Sequence, residues 1–439
     1  MFTLKSKLFA VLAALVCASA ALAQDSGALI DLLVKKGVLN DQEAEDIRAE
    51  LVKDFAATPA GKLNLSTPLT ELKIAGDARV RFESRGGQLP TGDNLERDRF
   101  RYRFRAGLSG KVLNNWAFGT RLETATGSRS SNVTMGDDAG PFAKNSDTVN
   151  LGQIWLQYAP TSEFTLTAGR MPNPLVTTAM VWDADINPEG FAEQFKRRIG
   201  KFEYSATAAQ FLYSAASTQN TFGTTANVQD LFLFAWQGGL KYYQEGTTKF
   251  FQINPTVYNY VRNTKYNPAA FKGAFTATTT AAVNNLFVVD VPVEYDWISN
   301  GVPVRVFGDF AVNLDGDDRA TKWGRADLDG ENTAWQVGFQ YGKAVNKGEW
   351  DAKVYYQSVG AFALDPNLVD SDIFDSRTNM QGWVASANYA LGAATTFTLT
   401  LGNGERKEGS IIVPGAGDIG SNNALDKYWI LQADLVLKF

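Results

Sequence analysis

From about residue 72 to the C-terminus the side chains alternate with a period of two, and no other feature limits the possible folds as much. Successive side chains of an extended chain point to opposite faces, so this period calls for β-strands and not helices. Sixteen segments carry it, near 72–83, 98–112, 115–125, 149–159, 162–171, 191–198, 201–214, 230–243, 248–261, 285–297, 302–313, 332–343, 349–361, 379–390, 395–402 and 427–439. Their faces are unequal. Trp335, Val337, Phe339 and Tyr341 share a face, opposite Gln336, Gly338 and Gln340. Trp350, Ala352, Val354 and Tyr356 oppose Asp351, Lys353 and Tyr355, and Val289, Val291, Val293, Tyr295 and Trp297 oppose Asp290, Glu294 and Asp296.

The connections sort by length. Short links at Leu113-Asn114, Pro160-Thr161, Ile199-Gly200 and Glu245-Gly246 alternate with long polar ones at 126–148, 262–284 and 403–426. Short turns on one side and long loops on the other predict an all-β membrane protein, an antiparallel transmembrane β-barrel of about sixteen strands. The even count puts both chain ends on the short-turn side. A soluble sandwich has no reason to sort its loops in this way. In the last strand Trp429, Leu431, Ala433, Leu435, Leu437 and Phe439 form one face, with Tyr428, Ile430, Gln432, Asp434, Val436 and Lys438 on the other. This Phe-terminated strand resembles the closing strand of bacterial outer-membrane barrels. The resemblance implies that it is also what the barrel-assembly machinery reads.

The N-terminus agrees with an envelope address. Lys5 and Lys7 precede the apolar run Leu8–Val16, and Ala21-Leu22-Ala23 offers small residues for cleavage. Residues 1–23 therefore read as a secretory signal peptide, too short for a permanent anchor. The only cysteine, Cys17, lies inside it, with bulky Val16 where a lipoprotein signal needs a small residue, so the remaining chain has no disulfide framework. Without the signal, 40 basic residues face 47 acidic ones, a formal charge of −7 that argues against bulk nucleic-acid binding. No other stretch has about 18 consecutive apolar residues, which excludes an inner-membrane helical protein. Residues 24–71 read as a periplasmic leader and linker. Leu29, Ile30, Leu32 and Leu33 have helical spacing up to Gly37, and Asn40 with Glu43 opens a second helix carrying Ala44, Ile47 and Leu51 on one stripe. The leader is either a docking or oligomerisation element or a weakly ordered segment. The barrel is expected over residues 72–439.

The stretch Gly169-Arg170-Met171-Pro172-Asn173-Pro174, followed by Val181 to Gly190 (VWDADINPEG), resembles a strand-to-loop segment of a putative porin family of Gram-negative bacteria. The helical leader at Leu32–Ala44 and the terminal Phe extend the resemblance end to end. It implies a passive channel for small hydrophilic solutes in the outer membrane. Analogy with other sixteen-stranded porins implies a homotrimer.

The function of a pore lies in the charges that line it. The second strand reads Arg99-Phe100-Arg101-Tyr102-Arg103-Phe104-Arg105. With the aromatics toward lipid, the four arginines face the lumen; the reverse would cost about 2–4 kcal/mol per guanidinium near the midplane. By the same parity Arg79, Arg81 and Arg121 also face inward, making a basic wall of three neighbouring strands. An acidic counterpart is the connection 172–190, with Trp182, Asp183, Asp185 and Glu189. Folded inward, it would set a transverse field across a constriction. Two readings stay open for the wall, a field acting on solutes or arginines pairing with Asp77, Glu83 and Glu123 to stiffen it. The loop carboxylates are likewise either in the pore or on an ordinary surface loop. Asp315, Asp317, Asp318, Asp327 and Asp329 resemble a calcium-binding run, but their spacing does not fit a regular EF-hand and solvated loop charge is the alternative.

The chain contains no histidine, which removes Ser-His and Cys-His nucleophile systems and the commonest metal ligand. Nothing localises a carboxylate pair for hydrolysis. No catalytic residue, metal ligand or cofactor is assigned. The expectation is a diffusion porin. Its alternatives are a substrate-selective, anion-preferring channel and a non-conducting barrel that tethers the envelope.

Overall fold

The computed structural model describes residues 34–36, 42–47, 68–125, 130–136, 148–214, 230–244, 249–261, 286–411, 418–419 and 425–439. The expected signal peptide, most of the leader and the connections at 137–147, 215–229 and 262–285 lie outside the described residues. The chain divides into two compact units, a small one of residues 1–74 and 109–113 and a large one of residues 75–108 and 114–439. In the small unit residues 42–47 are helical, with Ala44 buried and Ile47 half-buried on the expected stripe. Its strand residues are tied by an ion pair between Lys111 and Glu71 at 2.5 Å.

The strands form a closed antiparallel barrel of sixteen. They are β1 (Leu69–Gln88), β2 (Asn94–Val112), β3 (Trp116–Ala125), β4 (Thr148–Tyr158), β5 (Phe164–Arg170), β6 (Glu189–Ile199), β7 (Phe202–Ser214) and β8 (Leu231–Tyr243). Next come β9 (Phe250–Ile253 and Thr256–Val261) and β10 (Phe287–Asp290 and Val293–Ser299). The remaining six are β11 (Val302–Asn313), β12 (Thr333–Gly342), β13 (Trp350–Val359), β14 (Met380–Ala390), β15 (Thr395–Arg406) and β16 (Lys427–Lys438). Both β9 and β10 are broken at a proline, Pro255 and Pro292, because proline has no N–H for the ladder. The carbonyls there still pair: Gly238 N donates to Pro255 O and Asn254 N to Pro292 O, both at 3.0 Å. Each strand pairs with the next, and β16 closes on β1 from Asp77 opposite Lys438 to Gln88 opposite Lys427. With no edge left, the strands satisfy one another's backbone groups, the condition for spanning a membrane with strands.

The outward face is the one the alternation predicts. Phe100, Trp335, Val337, Phe339, Trp350, Val354, Leu435 and Leu437 are all exposed on the outer surface of the barrel. The inward face departs from simple polarity. Leu231, Leu233 and Ala235 of β8, Phe211 of β7 and Val288 of β10 point inward and are buried, packed with Met171, Met180, Trp182, Leu364 and Leu368. Those last five belong to two connections, 171–188 after β5 and 360–379 after β13. The lumen therefore contains an apolar core of its own. On the connection after β11, the run expected as an acidic loop folds as a short helix, α1 (Gly316–Lys322), and Arg325 pairs with Asp327 at 2.8 Å.

Candidate functional site

The first inward loop, residues 171–188, leaves and rejoins the wall at two facing glycines. Gly169 and Gly190 are register partners, both at positive φ (120° and 149°), which glycine adopts without steric penalty. A Cβ at Gly190 would lie 2.0 Å from Gln210 O and one at Gly169 2.3 Å from Ile154 O. From there the loop crosses the lumen. Val176 N donates to Gln237 Oε1 on β8 at 2.9 Å, and the Thr178 hydroxyl to Asp309 on β11. Trp182 is buried, its ring 6.0 Å from Phe211 and its Nε1 bonded to Ile186 O at 3.2 Å. Asp183 caps a turn by accepting from Asp185 N at 2.9 Å. Asp185 reaches the opposite side, 3.7 Å from Arg103 Nη1 and 3.5 Å from Arg105 Nη1. Glu189 is not in the loop but opens β6, exposed and paired with the exposed Arg170.

The second inward loop, residues 360–379, spans the lumen in the other direction. Asp365 accepts from the hydroxyls of Tyr213 (2.6 Å) on β7 and Tyr260 (3.1 Å) on β9. At its far end Asp372 meets Arg81 at 2.7 Å and Arg85 at 3.0 Å, and Asp375 meets Arg85 at 3.2 Å. The two loops are joined to each other: Asp183 N donates to Leu368 O at 2.6 Å, Ser371 N to Asp183 Oδ2 and Asp370 N to Ala179 O, both at 3.1 Å. Phe374, Asp375 and Ser376 in succession have φ near +57°, a strained run held by these contacts.

The seven arginines named on β1–β3 each meet a carboxylate. Arg85 joins Arg79, Arg81, Arg99 and Arg101 in one network, Arg103 and Arg105 share Asp77, and Arg121 pairs apart with Glu123. Arg81 grips Asp434 of β16 bidentately at 2.6 and 2.8 Å. Arg79 lies 3.6 Å from the same carboxylate and donates to Asn132. Glu83, fully buried, takes Arg85 at 2.9 Å, Arg99 at 2.5 Å and Arg101 at 3.4 Å. Arg99 also meets Asp418 of the β15–β16 connection. Asp77 holds Arg103 at 2.8 Å and Arg105 at 2.7 Å, and Arg121 pairs with Glu123 at 2.8 Å. Every arginine of the wall thus has a carboxylate within 4.0 Å. Four of those carboxylates come from strands (Asp77, Glu83, Glu123, Asp434) and four from connections (Asp185, Asp372, Asp375, Asp418). Arg81, Arg85, Arg99, Arg101 and Arg103 are buried beneath them. Where β3 ends, Val133-Thr134 takes its place beside Tyr102 and Arg101.

In the loop, burial alone would raise the Asp372 carboxyl, and Arg81 and Arg85 overcome it and hold it well below the ordinary value. Asp370 has burial with Asp183 and Asp372 nearby, and is pushed up to about 8.

On the far side of the first loop, Val176–Ala179 roof a chamber of about 270 Å³ whose wall carries Glu294, Arg305, Gln336, Gln340, Lys353 and Tyr355. A second chamber of about 350 Å³ shares Arg305 and Gln340 and adds Asp296 and Lys343. Arg305 is partly exposed and paired with two carboxylates, 2.9 Å from Asp296 and 3.5 Å from Glu294.

Sequence reasoning missed Arg85, although its parity with Arg79 and Arg81 was legible. It also missed the second inward loop, whose signal was an apolar run, Ala361-Phe362-Ala363-Leu364, in a segment otherwise read as a connection.

A family model described as putative porin matches residues 70–288 and 261–410. Among solved structures, the chain is similar to a triple mutant of a Rhodopseudomonas blastica porin, with 9% identity and a TM-score of 0.42 over 84% of this chain and 100% of that one. It is also similar to an anion-selective porin from Comamonas acidovorans, with 10% identity and a TM-score of 0.45 over 84% of this chain and 99% of that one. No curated protein sequence matches. With most of the barrel inside the family model, the chain belongs to the putative porin family.

Proposed function

We propose that the chain is a diffusion porin for small hydrophilic solutes whose path runs beside the arginine wall, along the β10–β13 face. The observation that carries this reading is the pairing of every wall arginine with a carboxylate, much of it under the second inward loop. A buried pair presents little net field to the lumen. The chambers past Glu294, Arg305, Gln340 and Lys353 are polar and keep half-exposed charge of both signs. The first inward loop, through Trp182, Asp183 and Asp185, then acts as the constriction, with Arg79, Arg81, Arg99, Arg101, Arg103, Arg105 and Arg121 as its abutment. Solutes would meet weak selectivity of either sign.

Planar-bilayer recording tests this. Defined conductance steps are expected, with a reversal potential near zero in a salt gradient. Lys353→Gln with Arg305→Gln should shift preference toward cations. Replacing Arg101, Arg103 and Arg105 by glutamine should act mainly by loosening the loops, as added current noise. A large selectivity change from the triple variant alone would instead support a transverse field at the wall and an anion-preferring channel. The joined loops also favour a second reading, a non-conducting barrel, which absence of any conductance step would support.

The same reading takes residues 1–23 as the signal removed near Ala23, residues 24–71 as a periplasmic leader and 72–439 as the barrel. It takes lipid and the assembly machinery, through the strand ending at Phe439, as partners, and a homotrimer as the assembly. N-terminal sequencing and native mass spectrometry of the purified protein test these.

A further inference from the structure

The lumenal faces of β9–β12 carry five buried oxygen atoms that no hydrogen bond among the described residues satisfies. They are both carboxylate oxygens of Asp290, Asp309 Oδ1, Gln336 Oε1 and the Tyr258 hydroxyl. The four side chains are 0%, 4%, 6% and 2% exposed. Their backbone placement brings them together. Gln336 is the register partner of Asp309, and Asp290, opposite Ala311, is diagonal to Asp309 across the Val291–Phe310 hydrogen bond. The two carboxylates are close enough to act on each other directly, and the Tyr258 hydroxyl lies in the field of both. The remaining oxygen of Asp309 accepts from Thr178 of the first inward loop.

Two carboxylates placed together out of water cost several kcal/mol each unless positive charge sits with them. Among the described residues no Lys or Arg side chain supplies it. A shared proton would engage two of the four bare acceptor oxygens, and a donated bond from Tyr258 a third. Gln336 Oε1 would still lack a donor. A metal cation satisfies carboxylate, amide and phenol oxygens at once. The donors are all oxygen, which selects a hard cation, and a set mixing charged and neutral ligands suits the adaptable coordination of calcium better than the strict octahedron of magnesium. Only two of the donors are carboxylates, so the site is distinct from a cluster of three acidic or His/Cys ligands, of which the described residues contain none. We propose that Asp290, Asp309, Gln336 and Tyr258 bind a hard divalent cation of the calcium class, which through Thr178 locks the first inward loop onto the wall.

The full chain, purified folded in detergent and stripped with EDTA, is titrated with CaCl2 by calorimetry and with TbCl3 by luminescence excited through tyrosine, which Tyr258 would sensitise. One saturable calcium site is expected, at least about 10-fold weaker for MgCl2. Asp290→Asn with Asp309→Asn should abolish it, and Gln336→Leu should weaken it by about 10-fold. Asp296→Asn, a control at the other chamber, should leave it unchanged. Removing calcium should raise open-channel noise in wild type and not in the double variant. Absence of saturable calcium binding in wild type overturns the proposal and leaves a proton-sharing pair. Unchanged affinity in the double variant overturns it too. If the double variant does not reach the folded, heat-modifiable form, unchanged affinity in Gln336→Leu is decisive.

Discussion

Glu83 shows how much one residue can hold. It has no exposed surface and stands among Arg81, Arg85, Arg99, Arg101 and Gln432, with Gln432 Nε2 donating at 3.0 Å. A buried ion pair contributes little net stability, because desolvation offsets the attraction, but removing one partner strands the others. Glu83→Gln is therefore expected to destabilise the barrel by about 3–5 kcal/mol. The readout is the temperature at which the folded band is lost on a gel run without boiling. Gly190 is a second such residue. Its φ of 149° and the Gln210 carbonyl 2.0 Å from any Cβ predict that Gly190→Ala costs about 1–3 kcal/mol and displaces the root of the first loop. Gly392→Ala, in open space, should be neutral in the same assay. The lumenal parity of the arginines was legible from period two alone. The identity of their partners was not, because Asp372, Asp375 and Asp418 lie some 290 to 320 positions along the chain from the arginines they meet.

At the scale of the element, the second inward loop is held by opposing titrations. Asp370, raised to about 8, keeps a proton in the docked loop that a released loop, with an ordinary carboxyl of 3.8, would lose. Its share of docking is complete below about pH 4 and fades as pH rises through about 8. Asp372 acts in the opposite sense. Its carboxyl is held well below 3.8 in the docked loop, so its share is present above that value and is lost only as pH falls beneath it. Docking is then strongest at about pH 4 and weakens steadily up to about pH 8. Protease cleavage within 360–379 and open-channel noise should both rise from pH 7 to pH 9, and Asp370→Asn should flatten that rise. No change in cleavage across this range would refute the docked, protonated state. Loops of this length are expected outside a barrel as surface segments. These two turn inward because their apolar residues match Leu231, Leu233 and Phe211, which would otherwise face water.

For the whole molecule the deciding event is closure. Phe439 O accepts from Gly76 N at 2.8 Å and Phe439 N donates to Gly76 O at 3.1 Å, while its ring stacks on Phe104 at 6.0 Å. The seam continues through Arg81 and Asp434, so the terminal strand fastens to the most charged part of the wall. Deleting Phe439 is expected to lower the yield of folded, protease-resistant barrel several-fold without altering the conductance of the molecules that do close. Altered conductance would mean that the seam also shapes the pore.

The sequence by itself determined the barrel, its sixteen strands and which residues of each strand share a face. These follow from alternation, a local property that each strand expresses on its own. It also marked the first loop as the place to look, through Trp182 and the carboxylates Asp183, Asp185 and Glu189. Only the tertiary structure decided that a second loop crosses the lumen, that each wall arginine is matched and that Asp290 and Asp309 converge. Those facts depend on which residues closure and inward folding bring together from distant parts of the chain, and a period of two carries no record of that.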